Sequence, residues 1–220
     1  MSTRFTKRTG GVSHGAFASL NLGTHVGDEL KDVLENRAIV AAKTGPTQFM
    51  NQVHGDRIAL IEEVTEEVPT ADALVTGIPG ISLAVMVADC IPLLLTSPES
   101  VAAVHVGRRG LVNEITRKTL SVMRDMGASK ISAIIGPAIC GSCYEVSEEI
   151  FNEVIALHPK AQSQTPEGTF ALDLPAALRS VLTDEGVTII DKFECTVENQ
   201  DYFSYRRDGV TGRQAGIISL

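Results

Sequence analysis

The sequence predicts an α+β fold with mixed β-sheets in one domain spanning residues 1–220, and three observations support this. The 220 residues are 44% hydrophobic and 21% charged, which is globular and sufficient to bury a sizeable core. Short apolar runs of strand length interleave with amphipathic helical patterns but show no regular βαβ period. No internal repeat, low-complexity tract or Pro/Ser-rich linker divides the chain.

The elements follow in order. Residues 10–27 are rich in Gly, Ser, Asn and His and read as irregular loop. Residues 28–44 carry Leu30, Val33, Leu34, Ile39 and Val40 near helical spacing. Residues 81–87 and 101–106 are largely apolar and read as buried strands, with a third at 93–95 bracketed by Pro92 and Pro98. Residues 111–126 form the pattern of one amphipathic helix stopped by Gly127. A strand follows at 131–135. Ser147 caps a helix whose first turn holds Glu148 and Glu149, favourable to its dipole. Asp173 opens another helix that Gly186 closes, and strands are expected at 187–193 and 215–220.

The formal charge of −8 disfavours nucleic acid and anionic membranes as partners, which leaves room for a small-molecule substrate. No apolar run approaches the ~20 residues needed to span a bilayer, and no signal-peptide pattern opens the sequence, so a cytoplasmic location is expected. In that reducing setting, four cysteines suggest catalysis, metal binding or plain burial before disulfides.

Three residues stand out by position. His54 lies in a polar loop, Cys90 where a buried strand ends, and His105 at the end of the next strand. Two imidazoles and a thiolate suit zinc and leave a fourth position open for water or substrate, the mark of a catalytic site. Spacing alone leaves other roles open, with Cys90 as a small buried hydrophobe and His105 as a strand-end surface residue. Cys140-Gly-Ser-Cys143 is a C-x-x-C without a thioredoxin-like setting. As half of a zinc knuckle it lacks a second pair, because Cys195 stands alone; it reads as structural or incidental, with a redox role as the minor alternative.

Nine motifs occur in one order: Gly-Gly-Val-Ser-His-Gly at 10–15, Ser-Leu-Asn-Leu-Gly at 19–23, Asn-Gln-Val-His-Gly at 51–55, Ala-Asp-Ala at 71–73, Ala-Asp-Cys-Ile-Pro at 88–92, His-Val-Gly-Arg-Arg-Gly at 105–110, Ile-Gly-Pro-Ala-Ile at 135–139, Cys-Tyr-Glu-Val at 143–146 and Phe-Ser-Tyr-Arg-Arg-Asp at 203–208. Together they resemble the laccase-domain (polyphenol oxidase-like, peptidoglycan editing factor) family, whose members are described as purine nucleoside phosphorylases with adenosine deaminase activity. The resemblance runs from about residue 10 to the C-terminus. It implies a layered α/β sandwich with the site near a cleft, and zinc ligands at His54, Cys90 and His105. One departure stands out. The family usually carries His-Ala-Gly-Trp-Arg-Gly, whereas this chain has Val106 and Arg108, a cation in place of the Trp.

Phosphorolysis needs a phosphate site, and Arg109, Arg206, Arg207 and Arg213 are candidates because a guanidinium can bind two oxygens at once. Deamination would need a proton shuttle near the metal. Asp89 and Glu145 are candidates, Asp89 also as the carboxylate that orients a ligand histidine. Asn21, His25 and Gln52 are possible ribose or base contacts. Two other chemistries compete. Cys90 could be the nucleophile and His105 the base of a hydrolase acting on a cell-wall precursor amide bond. A copper polyphenol oxidase needs more histidines than the five present, at 14, 25, 54, 105 and 158.

Overall fold

The computed structural model describes all of residues 1–220. In chain order the elements are β1 (Ser2–Phe5), α1 (Leu30–Thr44), β2 (Thr47–Gln48), β3 (Ile58–Leu60), β4 (Ala73–Thr76), β5 (Ser82–Val87), β6 (Ile91–Thr96), β7 (Val101–Val106), α2 (Arg108–Val112), α3 (Ile115–Asp125), β8 (Ser132–Ile135), α4 (Glu148–Leu157), β9 (Gln162–Gln164), β10 (Phe170–Leu172), α5 (Leu174–Asp184), β11 (Thr188–Asp191), α6 (Tyr205–Asp208) and β12 (Gln214–Ser219). Short 3₁₀ turns lie at Gly15–Phe17 and Pro159–Ala161.

Two mixed sheets stack face to face. The larger has strand order β11-β8-β6-β7-β4-β3, parallel at both outer pairs and antiparallel between. The smaller runs β1-β12-β5-β2, with only the β2–β5 pair parallel. Alternation along β6 shows how they pack. Leu93 and Leu95 join Leu120, Met123, Leu178 and Val181 beneath α3 and α5, while Leu94 joins Leu83, Val85 and Ile218 between the sheets. On the far face of the smaller sheet, Ala84, Met86 and Ile217 pack with Val40 of α1. The result is a helix–sheet–sheet–helix sandwich. It explains why β5, β6 and β7 read as unbroken apolar runs, since both of their faces are covered.

Three expected boundaries differ. The strand expected at 93–95 runs over Ile91–Thr96, so Pro92 lies inside it, paired with His105, and does not bracket it. The helix expected over 111–126 is two helices, starting earlier at Arg108 and broken at Asn113-Glu114, where Glu114 is left-handed at φ 59°. The apolar spacing is satisfied on both sides of the break, so periodicity does not reveal it. The strand expected over 187–193 is confined to Thr188–Asp191 by its pairing with β8. The caps are as expected: Ser147 accepts from the Ile150 amide at 3.4 Å and Asp173 from that of Ala176 at 2.8 Å. No helix is long and apolar enough to cross a membrane.

Candidate metal centre and cleft

The link between β5 and β6 carries the chain from the small sheet to the large one in three residues, Ala88 to Cys90. Asp89 takes a positive φ of 99° there, and its carboxylate anchors the turn by accepting from Thr196 Oγ1 and from the Arg206 amide, both at 2.7 Å. Cys90 is thereby presented at the seam of the sandwich. His105 lies on the adjacent strand β7, opposite Pro92, and is 3% exposed.

His54 arrives from the loop before β3, with φ 58°. Its position is set by Asp72, which is fully buried and accepts from the amides of Val53, His54 and Gly55 at 3.3, 2.9 and 2.7 Å. The same carboxylate accepts from His105 Nδ1 at 2.8 Å. This fixes the His105 tautomer and turns its Nε2 toward the cleft. The donor atoms of His54, Cys90 and His105 all lie within 4.8 Å of one another, with Cys90 Sγ 3.8 Å from His54 Nε2.

Gly107 makes room for this trio. A Cβ there would lie 2.9 Å from Cys90 Sγ and 3.3 Å from His54 Cδ2. Burial alone would raise the Cys90 thiol, but His105 and then His54 draw it down to about 6. Burial alone would lower His105, but the Cys90 thiolate and Asp72 hold it up at about 9. Both shifts favour the thiolate–imidazolium form of the metal-free pair.

Two hollows share His54 and Cys90 of this trio, and His105 lines the larger one. The larger, about 440 Å³, is lined by His54, Cys90 and His105 together with His25, Gln52, Tyr144, Arg206 and Arg213. The smaller, about 320 Å³, shares His54, Cys90 and Tyr144 and adds Arg108 and Arg109. Burial, then the charges of Arg213 and Arg37, hold His25 below its ordinary value, which favours the neutral ring.

Residues 2–220 match the family described as multi-copper polyphenol oxidoreductase laccase. The chain belongs to that family. Within this laccase family it is 42% identical to a purine nucleoside phosphorylase of Corynebacterium glutamicum, covering 98% of this chain and 93% of the relative. It is 44% identical to a purine nucleoside phosphorylase of Streptomyces coelicolor, covering 98% and 94%. A crystal structure of a DUF152-family protein of Neisseria meningitidis superposes with a TM-score of 0.91 at 39% identity, covering 99% of this chain and 93% of that one. YlmD of Geobacillus stearothermophilus gives 0.89 at 33%, covering 99% and 90%.

The expected site residues divide into three groups. His54, Cys90, His105, Asp89, Gln52 and Arg206 meet at the larger hollow, and Arg109 at the smaller one. Gln52 is nonetheless committed to the Met86 backbone, donating to its carbonyl at 2.7 Å and accepting from its amide at 2.8 Å. Arg206 donates to the Glu145 carbonyl and sits 5.2 Å over the Tyr144 ring.

Asn21 and Arg207 line neither hollow. Asn21 is buried and accepts from the Arg213 amide at 2.9 Å, bracing a cleft arginine from behind. Arg207 spends its guanidinium on the carbonyls of Thr196 and Tyr202 and on Asp208. Glu145 is exposed and also lines neither hollow.

The sequence assigns no individual role to Asp72 or Tyr144. The signal for Asp72 was its place in the Ala-Asp-Ala motif, a charged residue just ahead of a buried apolar run. Asp72 orients His105, whereas the Asp89 carboxylate is bonded elsewhere. Arg108, where the family usually has Trp, pairs with Glu153 at 3.0 Å.

Proposed function

We propose that this protein is a zinc-dependent purine nucleoside phosphorylase, converting a nucleoside and phosphate to free base and ribose 1-phosphate, with adenosine deamination as a side activity. The observation that carries this reading is the two-lobed cleft whose lobes share His54 and Cys90, with His105 beside them in the larger, in a chain 42–44% identical along its length to relatives bearing that name.

The residues suit zinc. One low-lying thiolate and two imidazoles converge, the buried imidazole is oriented by a carboxylate, and the glycine at 107 leaves space beside the sulfur. When bound, zinc supplies Lewis-acid polarisation where the two lobes meet. A multi-copper array is a poor match, since only two of the five histidines join any cluster of metal-capable groups.

Phosphorolysis requires a phosphate oxygen to bond to C1′ of the ribose while the N-glycosidic bond breaks and the base departs with its electron pair and gains a proton. The smaller lobe suits phosphate. Arg109 takes part in none of the protein's ion pairs, so its fork is free for two phosphate oxygens. The larger lobe suits the nucleoside. Tyr144 offers a ring face, and neutral His25 offers one donor and one acceptor to a purine edge. Asp89 acts here as a positioning residue, holding the Arg206 backbone against the cleft.

A second reading is favoured by the Cys90 sulfur and a His105 ring nitrogen lying within 4.8 Å at the cleft, where they would be a nucleophile and its acid–base partner in a cell-wall amide hydrolase if no metal occupied the site. Metal content separates the two, because a thiolate committed to zinc cannot attack a substrate. Protein purified without a metal-affinity tag is incubated with adenosine or inosine, with and without phosphate, and base, ribose 1-phosphate and ammonia are followed by mass spectrometry. Phosphate-dependent base release that is lost in His105→Ala supports the phosphorylase, and ammonia from adenosine supports the side activity. No turnover in zinc-loaded protein overturns both, and no turnover without zinc directs attention to the hydrolase.

A further inference from the structure

Cys195 is not alone in the folded chain. The segment after β8 runs beside the segment after β11, with the Ala138 amide donating to the Glu194 carbonyl and the Thr196 amide to the Ala138 carbonyl, both at 3.0 Å. That pairing carries Cys140 and Cys143 to Cys195. The C-x-x-C closes as a tight turn, with the amides of Cys143 and Tyr144 both donating to the Cys140 carbonyl at 3.2 and 3.1 Å. Its Gly141 packs where a Cβ would lie 2.7 Å from Ser163 Oγ and 2.8 Å from Asp173 Cβ. A second turn, closed by the Asn199 amide on the Cys195 carbonyl at 2.9 Å, brings Glu198 over the sulfurs.

The three sulfurs and a Glu198 oxygen all lie within 4.8 Å of one another, and Glu198 Oε1 is 3.8 Å from both Cys140 and Cys143. We propose that Cys140, Cys143, Cys195 and Glu198 form a second metal site, distinct from the cleft trio, that takes a single thiophilic divalent ion such as zinc.

The donor chemistry supports this. Tetrahedral zinc with Zn–S bonds of about 2.3 Å places neighbouring sulfurs about 3.8 Å apart, so the cluster needs only small movements to close on an ion. Glu198 forms none of the protein's ion pairs, so its carboxylate faces three sulfurs with no basic side chain to balance it. A divalent cation supplies that balance as the thiols lose their protons to solvent. Four protein ligands fill the coordination shell, which is the pattern of a structural site; the cleft trio leaves one position open.

The placement gives this ion a task. The turn it would clamp lies between Ile139, whose amide donates to the Asp89 carbonyl at 2.9 Å, and Tyr144, which lines both lobes. Thr196, next to Cys195, holds the Asp89 carboxylate. The ion would fix one wall of the cleft from outside, whichever reaction the cleft performs.

The test is metal stoichiometry on protein prepared anaerobically with reductant. Wild type should hold about two zinc equivalents per chain, His105→Ala about one, Cys195→Ser about one, and the double variant about none. Should Cys195→Ser fail to fold, cobalt substitution of wild type and Glu198→Gln gives the same answer. Wild type should gain a second set of sulfur-to-cobalt charge-transfer bands, stronger than those of the single-thiolate cleft site, and Glu198→Gln should alter that set alone. A single equivalent in wild type that disappears in His105→Ala and is untouched by Cys195→Ser overturns the proposal. So does a Cys140–Cys143 disulfide in the reduced preparation.

Discussion

Asp72 accepts the Nδ1 hydrogen of His105 at 2.8 Å while three successive amides of the His54 loop converge on the same carboxylate. One buried group thus sets two candidate metal ligands at once. Asp72→Ala should cost about 3–5 kcal/mol, the usual result of stripping one partner from a buried charged pair, because it also leaves the three amides without their acceptor. Asp72→Asn keeps the shape but brings an NH₂ group to the carboxylate's place, so it should fold yet bind metal about 10–100-fold more weakly. Urea unfolding and a competitive chelator titration separate these effects.

The Cys90–His105 pair makes a pH prediction for the metal-free protein. Against burial, His105 and His54 lower the thiol from 9.0 to about 6, so the thiolate forms as pH rises through about 6. Alkylation of the Cys90 peptide by iodoacetamide should follow that midpoint, and His105→Ala should move it upward. Stability is a different matter. The depressed Cys90 contributes fully above its unfolded value and loses its contribution as pH falls toward 6. The raised His105 contributes fully below 6.5 and loses its contribution as pH rises through about 9. Across roughly pH 6.5–9 the pair carries one proton in both the folded and unfolded states, so these opposing slopes cancel. A pH series of urea midpoints tracking that pair should be flat there.

Gly107 links packing to chemistry. Its φ of −90° is ordinary for any residue, so Gly107→Ala brings no backbone strain, only a Cβ 2.9 Å from Cys90 Sγ. The variant should lose about 1–3 kcal/mol, since glycine ranks well above alanine at a helix N-cap and the added methyl overpacks the trio. Displacing the sulfur or His54 should also lower kcat/KM by about 100-fold, the scale of a misplaced catalytic group. Thermal melts beside steady-state kinetics measure the two effects.

The sequence offers both Arg109 and Arg207 as candidates for holding phosphate, and their surroundings divide them. Arg109→Ala should raise KM for phosphate about tenfold or more, with stability little changed, because its guanidinium is free of ion pairs at the smaller lobe. Arg207→Ala should instead cost about 1–3 kcal/mol and leave the phosphate KM near wild type, since it orphans the carbonyls of Thr196 and Tyr202. Phosphate saturation curves at fixed nucleoside test both.

Much of the sandwich was legible in the chain. β5, β6 and β7 showed as unbroken apolar runs because each is covered on both faces, and the caps at Ser147 and Asp173 are local chemistry. What escaped depends on distant pairing. Asp72 reaches His105 only because β4 pairs with β7, placing Ala73 opposite Val104. Cys195 reaches the C-x-x-C only through the bridge to Ala138. The break at Glu114 escaped for a different reason, since a left-handed residue between two in-phase helical segments leaves their apolar spacing intact.

The two faces of β6 offer a last test, of the sandwich itself. Leu94 is fully buried between the sheets with Leu83, Val85 and Ile218, and Leu93 is fully buried on the helix side. Leu94→Ala should cost about 2–5 kcal/mol, and Leu93→Ala a similar amount, because β6 is central and neither cavity can easily collapse. Their consequences for the cleft should differ. Leu94 packs against β5, the strand that leads into Ala88, Asp89 and Cys90, whereas Leu93 packs toward α3 and α5. Leu94→Ala should therefore loosen the sheet seam and weaken metal binding at the cleft more than Leu93→Ala does at matched stability loss. Equal metal affinities in the two variants, measured under conditions where both remain folded, would show that the seam does not position Cys90.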